Sequence, residues 1–236
     1  MVTIVDAPTE SVLAIAAHPD DIESWCGGTL ALAAERGATV RQLLATSGDK
    51  GSADPLARPG EVARRRETET RAAADRLGVA EVAFLRHPDG ELEDTRSFRG
   101  ELVAWLRSWR PDAVFTFDPE HPLPPWLAHR DHRIVGRATL DAVYPAARDP
   151  LSFPEQRADG LAPHRVGSVW LFASAAADHY VDISATIDRK IDARIAHASQ
   201  TVDPEALRIA WRERFAATGR EAGLPFAEAF TRLTLD

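Results

Sequence analysis

Apolar residues come in short runs along this chain, and strand-like runs alternate with segments of helical period. Ser11 to Ala17 (SVLAIAA) is continuously apolar and stops abruptly at polar residues, which predicts a buried strand. Gly28 to Arg36 reads as a helix closed by Gly37, and Thr39 to Thr46 as the next strand. The loop from Ser47 to Gly60 is rich in glycine and proline and long enough to be functional. Glu61 to Leu77 is dense in helix formers and ends at Gly78, after which Glu81 to Leu85 predicts a third strand. Phe98 to Trp109 predicts a helix stopped before Pro111, Ala113 to Phe117 a fourth strand, and Asp131 to Val143 a helix running up to Tyr144-Pro145. Ser168 to Phe172 and Tyr180 to Ile183 follow as late strands, then Ile187 to Ser199 and Pro204 to Ala217 as helices. Pro145 to Pro163 shows no period and is a candidate lid. Each parallel strand needs a crossover, usually a helix, so this alternation predicts an α/β fold: a mostly parallel sheet with helices on both faces. No repeat or linker divides the chain, and residues 1–236 are expected to form a single domain.

Composition narrows the class. With 44% hydrophobic and 27% charged residues the 236-residue chain matches ordinary globular proteins, not disordered or fibrous ones. No apolar run approaches the roughly 20 residues of a membrane span, and MVTIVDAPTE lacks the basic start and apolar stretch of a secretion signal, so a cytoplasmic location is expected. The single cysteine, Cys26, can form neither an internal disulfide nor a thiolate zinc site, so any metal must be held by histidines and carboxylates. A net charge of -8 argues against nucleic acid or anionic lipid as partners and for a small neutral or cationic ligand.

In open parallel sheets the ligand site lies beyond the carboxyl ends of the strands, and His18, Pro19, Asp20 and Asp21 directly follow the first strand. Adjacent carboxylates beside a histidine repel one another unless a cation or hydrogen bonds compensate, although a turn with a helix-capping aspartate has the same composition. A second cluster, His129, Arg130, Asp131 and His132, follows the fourth strand and a proline-rich loop, Asp118 to Ala128. At a helix start His129 and His132 share a face, with Asp131 able to orient an imidazole; the plain alternative is a helix cap flanked by solvated His and Arg. Together His18, Asp21 and His132 supply two imidazoles and a carboxylate, which suits a catalytic zinc with one open position. Ferrous iron accepts the same donors. Zinc lowers the pKa of bound water to roughly 7, Asp20 is then the candidate base, and a protonated His129 would stabilise an oxyanion or protonate a leaving amine, helped by Asp131. These parts describe metal-assisted amide hydrolysis.

The motifs AHPDDIE (Ala17 to Glu23) with CGGT after it, and AHRDH (Ala128 to His132), resemble those of the PIG-L/LmbE-like zinc-dependent de-N-acetylases. The resemblance continues through TSGDKG (Thr46 to Gly51), Arg66 and Glu69 ahead of LGV, HPDGEL (His87 to Leu92), RPDAVFTFDP (Arg110 to Pro119), VDIS (Val181 to Ser184) and HASQ (His197 to Gln200). It implies a Rossmann-like domain that removes an N-acyl group from an amino sugar or related small conjugate with one zinc ion. By the same resemblance His18, Asp21 and His132 are the metal ligands, Asp20 the general base, His129 the catalytic histidine oriented by Asp131, and Arg66 and Asp89 hold substrate hydroxyls.

Other features carry less. Cys26 reads as a small buried hydrophobe, and His87, His164 and His179 as solvated loop residues, with His121 a candidate pocket wall; the tryptophans read as core or pocket walls, Trp25 and Trp126 lying nearest the proposed site in sequence. His197 fits a hydrogen-bonded structural role as well as a substrate contact. Trp211, Phe215, Phe226 and Phe230 suit either the core or the contact of a homo-oligomer. Two competing functions remain. A nucleotide- or metabolite-binding Rossmann-like module would use Gly27-Gly28 as its phosphate turn, but no G-x-G-x-x-G or P-loop follows the first strand, and Asp20 and Asp21 would repel a pyrophosphate. A two-metal phosphoesterase would need further ligands, for which Asp49 and Asp118 are spare carboxylates.

Overall fold

The computed structural model of the protein describes residues 2–120 and 129–235. In chain order the elements are β1 (Thr3–Ile4), β2 (Ser11–Ala16), α1 (Asp21–Trp25), α2 (Gly27–Glu35), β3 (Thr39–Thr46), α3 (Pro59–Leu77), β4 (Glu81–His87), α4 (Arg96–Trp109), β5 (Ala113–Phe117), α5 (Arg130–Asp141), α6 (Glu155–Ala158), β6 (Ser168–Phe172), β7 (His179–Asp182), α7 (Ile187–Ile195), α8 (Pro204–Ala222) and β8 (Ala227–Thr234). Local chemistry sets several boundaries. Pro59 opens α3 and Gly78, at φ 76°, closes it. The Thr95 hydroxyl accepts from the Phe98 N–H to cap α4, and Asp203 accepts from Glu205 and Ala206 to cap α8.

The eight strands form one sheet in the order β1-β7-β8-β6-β5-β2-β3-β4. β8 runs antiparallel to β6 and β7, and every other pair is parallel. Helices α2, α3 and α7 pack together, while α4 and α5 pack on one another with α5 against β5 and β2. The expected α/β architecture with a mostly parallel sheet is therefore present. β5 and β6 are buried along their whole length, and Phe115 sits between Trp170 at 5.2 Å and Phe230 at 5.4 Å. Phe215 and Phe230 belong to the core, and Trp211 and Phe226 pack against it. Gly136 lets α5 lie directly on β5: a Cβ there would stand 2.5 Å from the Phe117 carbonyl. Among the described residues no helix is long and apolar enough to cross a membrane.

The segment from Pro145 to Pro163 is not a lid. It joins the far end of α5 to the start of β6, at the amino edge of the sheet, opposite the strand ends that carry His18 and His132. Arg107, buried on α4, holds it there by donating to the carbonyls of Ala146, Ala147, Asp149, Ser152 and Phe153 and to the Gln156 side chain.

Candidate active site

The order of strands reverses about β2: β3 and β4 extend from one side of it, β5 and β6 from the other. A crevice opens at such a switch point, beyond the carboxyl ends of the strands. Loops after β2, β3, β4 and β5 all deliver residues to it.

The loop after β2 is tightly held. The His18 N–H donates to Asp21 Oδ2 at 2.8 Å, Ser24 Oγ donates to the Asp20 carbonyl at 2.7 Å, and Asp20 itself sits at φ 85°, a left-handed conformation rare outside glycine. Arg66, buried on α3, donates to the Pro19 carbonyl at 2.7 Å and the Gly48 carbonyl at 3.1 Å, bolting this loop to the one after β3. Gly48 is at φ 62°, and a Cβ there would stand 2.0 Å from Arg66 Nη1. Asp20 lies between two guanidinium groups, Arg66 at 3.7 Å and Arg194 of α7 at 3.4 Å. Burial raises its pKa, and Arg194 and Arg66 partly offset that rise.

His18 is the hub. Its Nδ1 faces His132 Nε2 at 3.2 Å and Asp21 Oδ2 at 3.4 Å, while His132 Nε2 is 3.2 Å from Asp21 Oδ1. Its Nε2 faces Asp131 Oδ2 and Asp89 Oδ1, each at 3.2 Å. Burial opposes a charged His18, yet Asp131, Asp21 and Asp89 outweigh it and hold the ring well above the ordinary histidine range. Burial likewise opposes charge on Asp21, but His132 and His18 pull its pKa below the usual carboxylate range. The His132 ring is set by stacking on Phe117, with centroids 3.9 Å apart and planes within 12°. Donor atoms lie close enough for a metal in two overlapping groups, His18, His129 and His132, and His18, Asp89, His129 and Asp131.

Asp131 and His129 meet through the backbone. The Asp131 carboxylate accepts from the N–H groups of Gly90 at 2.6 Å and Leu92 at 3.2 Å and faces His18; it is the Asp131 backbone N–H that meets His129, donating to Nδ1 at 3.1 Å. Accepting this bond at Nδ1 leaves Nε2 to carry the proton of the neutral ring. Burial and the charges of His18 and His132 push its pKa down in the same sense. Arg66 and Asp89, expected on substrate hydroxyls, stand beside this cluster: Arg66 donates to two backbone carbonyls, with its Nε unpartnered among the described residues, and Asp89 faces His18.

Sequence reasoning missed Arg194, whose only local signal is its place just ahead of the HASQ motif. His197 is fully buried beside Glu23, 3.3 Å away, and neither of its ring nitrogens has a hydrogen-bond partner among the described residues. His164 is not solvated: it is buried and its Nε2 donates to the Pro111 carbonyl at 2.8 Å. His87 pairs with Glu101 and His179 with Asp178. Cys26 is buried as expected. His121 and Trp126 lie outside the described residues.

The competing readings lose ground. Gly28 and Thr29, at the start of α2, already donate their N–H groups to the Glu228 carboxylate at 2.9 and 2.7 Å, which occupies the place a phosphate would take. Asp49 accepts from the Asp89 N–H and Asp118 from the Ser174 hydroxyl, so both spare carboxylates are engaged.

Comparison with known proteins points the same way. Residues 13–143 match the family model described as PIG-L, GlcNAc-PI de-N-acetylase. The chain is 35% identical over 191 residues to the diacetylchitobiose deacetylase of Thermococcus kodakarensis, covering 81% of this chain and 70% of that one. It is 32% identical over 190 residues to the 1D-myo-inositol 2-acetamido-2-deoxy-alpha-D-glucopyranoside deacetylase of Kineococcus radiotolerans, covering 67% of this chain and 50% of the relative. The solved N,N'-diacetylchitobiose deacetylase of Pyrococcus horikoshii superposes with a TM-score of 0.88 at 29% identity, over 95% of this chain and 84% of the other.

Proposed function

Since the chain belongs to the PIG-L family of de-N-acetylases, we propose that it hydrolyses the N-acetyl amide of a small amino-sugar conjugate at the crevice beside β2. The observation that carries this reading is the triangle of His18 Nδ1, His132 Nε2 and the Asp21 carboxylate, with mutual distances of 3.2 to 3.4 Å, and Asp20 next to it in the chain. Four aspartates, Asp20, Asp21, Asp89 and Asp131, crowd this crevice, so the donor set suits a divalent cation that offsets their repulsion. We assign His18, Asp21 and His132 as its ligands, because the Asp131 carboxylate is already used by two backbone N–H groups. Zinc or ferrous iron bound there would supply Lewis acidity and a more acidic water.

The remaining work falls to side chains. Asp20 takes the proton from the attacking water and, with its pKa already raised, passes it on to the departing amine. Arg66 and Arg194 hold its carboxylate in place. His129, with its proton fixed on Nε2, donates a hydrogen bond to the oxyanion that forms at the amide carbon. Asp131 and Asp89 steady His18 from behind.

The decisive experiment pairs metal content with amine release from N-acetylated amino sugars, diacetylchitobiose and acetylglucosaminyl-inositol among them, for wild type, Asp20→Asn and His18→Ala. The reading requires one metal per chain in wild type and Asp20→Asn, loss of metal in His18→Ala, and amine from wild type alone. A metal-replete wild type that binds no metal overturns it.

A further inference from the structure

A second cavity opens on the same edge of the sheet. It encloses about 330 Å³ and is lined by Trp25, Ser174, Tyr180, Arg214, Thr218 and Glu221, among others. Trp25 ends α1, the short helix that begins at Asp21, and Ser174 lies two residues beyond the carboxyl end of β6. β6 is two strands from β2, roughly 10 Å at the usual strand spacing. The cavity therefore opens on the same side of the sheet as the crevice, two strands away.

Most of its polar side chains already have partners. Tyr180 donates to Glu221 at 2.7 Å, Ser174 to Asp118 at 2.5 Å, and Thr218 to the Arg214 carbonyl at 3.3 Å. Arg214 is different. Its guanidinium lies 4.6 Å over the Trp25 ring and 5.2 Å over Phe215, and among the described residues it has no hydrogen bond or ion pair. The carboxylate whose charge it feels, Glu228, also lines the cavity, but it is held by Lys190 at 2.7 Å and by the N–H groups of Gly28 and Thr29 rather than by Arg214. Trp25 in turn stacks on Phe172 at 6.5 Å with planes 6° apart, so the surface beneath the guanidinium is fixed. A half-buried, pre-oriented guanidinium with unspent donors is a receptor for a planar or tetrahedral oxyanion, which it grips through two parallel N–H bonds.

We propose that this cavity is a subsite for a compact oxyanion, a carboxylate or a phosphate monoester, carried by the part of the substrate beyond the acylated sugar. The inference rests on the deacetylase reading for its choice of ligand and refines it: the conjugate is an acidic one. The net charge of -8 opposes anions at long range, whereas this recognition acts at contact distance inside a cavity.

The test has two arms. In the first, calorimetry measures binding of malate and of inorganic phosphate to wild type, Arg214→Gln, Arg214→Lys and Glu221→Gln. Binding to wild type that falls at least tenfold in Arg214→Gln, returns in part in Arg214→Lys and tightens in Glu221→Gln is the expected pattern. In the second, KM is compared for the methyl, malyl and phosphate glycosides of N-acetylglucosamine. An anionic glycoside should show a KM at least tenfold below the methyl glycoside, and Arg214→Gln should erase that ratio; the anion with the lower KM names the group. Equal KM values for all three in wild type, or a ratio untouched by Arg214→Gln, overturns the subsite. If no glycoside is hydrolysed yet an anion binds wild type and not Arg214→Gln, the deacetylase reading falls and the anion site stands. Hydrolysis without anion binding or anion preference gives the reverse. Should Arg214→Gln fail to fold, the wild-type KM ratio and the Arg214→Lys variant decide.

Discussion

At the residue scale Asp20 combines an unfavourable backbone with a proposed chemical task. The left-handed φ of 85° costs an L-residue about 1 kcal/mol or more, less for Asp and Asn than for Ala, and two arginines hold the carboxylate against it. Asp20→Asn keeps the backbone preference and removes only the base, so amine release should fall roughly 10²- to 10⁴-fold while metal content is unchanged. Asp20→Ala loses the base and adds strain; its urea midpoint should correspond to about 1 kcal/mol less stability than Asp20→Asn. A midpoint for Ala equal to that for Asn would show that the backbone at this position is unstrained. The two His-Asp clusters were legible in the sequence because each is local, packed into four or five consecutive residues after a strand. Arg194 was not, since its link to Asp20 exists only once α7 has folded against α1. The contact that orients His129 was equally hidden, because it joins one backbone N–H to one ring nitrogen.

Elements bring a different kind of dependence. The Glu228 carboxylate on β8 joins the start of α2 to Lys190 of α7, and both side chains of that ion pair are fully buried. Glu228→Ala should cost about 3–5 kcal/mol in urea unfolding, because it strands a buried ammonium and two helix-terminal N–H groups together. Lys190→Met should cost less, since Glu228 keeps its two backbone donors and Met fills the space beside Phe215 and Trp211. The opposite ranking would mean that the ammonium, not the carboxylate, organises this junction. On the other face, Arg107→Ala should release the segment from Ala146 to Gln156 to limited proteolysis while metal content, set by the proposed site at the opposite edge of the sheet, stays unchanged. Most strands and long helices were readable from periodicity and from Gly and Pro at their ends. Four elements were not: β1 and α6, of two and four residues, α1 and β8. α1 has five residues, too few to show a period, and starts inside the His-Pro-Asp-Asp motif. β8 reads AEAFTRLT, where Ala and Glu weaken the strand signal and the last residues are exposed; sheet pairing, not propensity, makes it a strand.

For the whole molecule, metal and pH are the levers. Binding a metal only in the folded state stabilises by mass action, about 2.7 kcal/mol when the free ion is 100 times its dissociation constant, so a chelator should lower the melting temperature of wild type. His18→Ala should be insensitive to the same chelator. At high pH a second effect enters through Tyr180, whose hydroxyl donates to Glu221 and whose pKa is pushed up to about 12 by burial and by that carboxylate. A phenol with a raised folded-state pKa contributes its stability below its ordinary pKa of roughly 10 and loses it as pH rises towards 12. Unfolding midpoints of wild type should therefore fall more steeply between pH 10 and 12 than those of Tyr180→Phe. Parallel slopes would rule Tyr180 out as the source.

The position of β8 carries a consequence for how the protein is made. Although it comes last of all the strands in sequence, it lies inside the sheet, between β7 and β6, and presents Glu228 to α2. A nascent chain on the ribosome can assemble β2, β3, β4, β5 and β6 early, but it must wait with β6 open along one edge until the segment from Ala227 emerges. During that interval the bare edge of β6, apolar along its length, is the molecule's exposure to mispairing with other nascent chains. Stop codons placed just ahead of Ala227 should therefore drive the product into aggregate rather than yield a shorter, loosely folded enzyme.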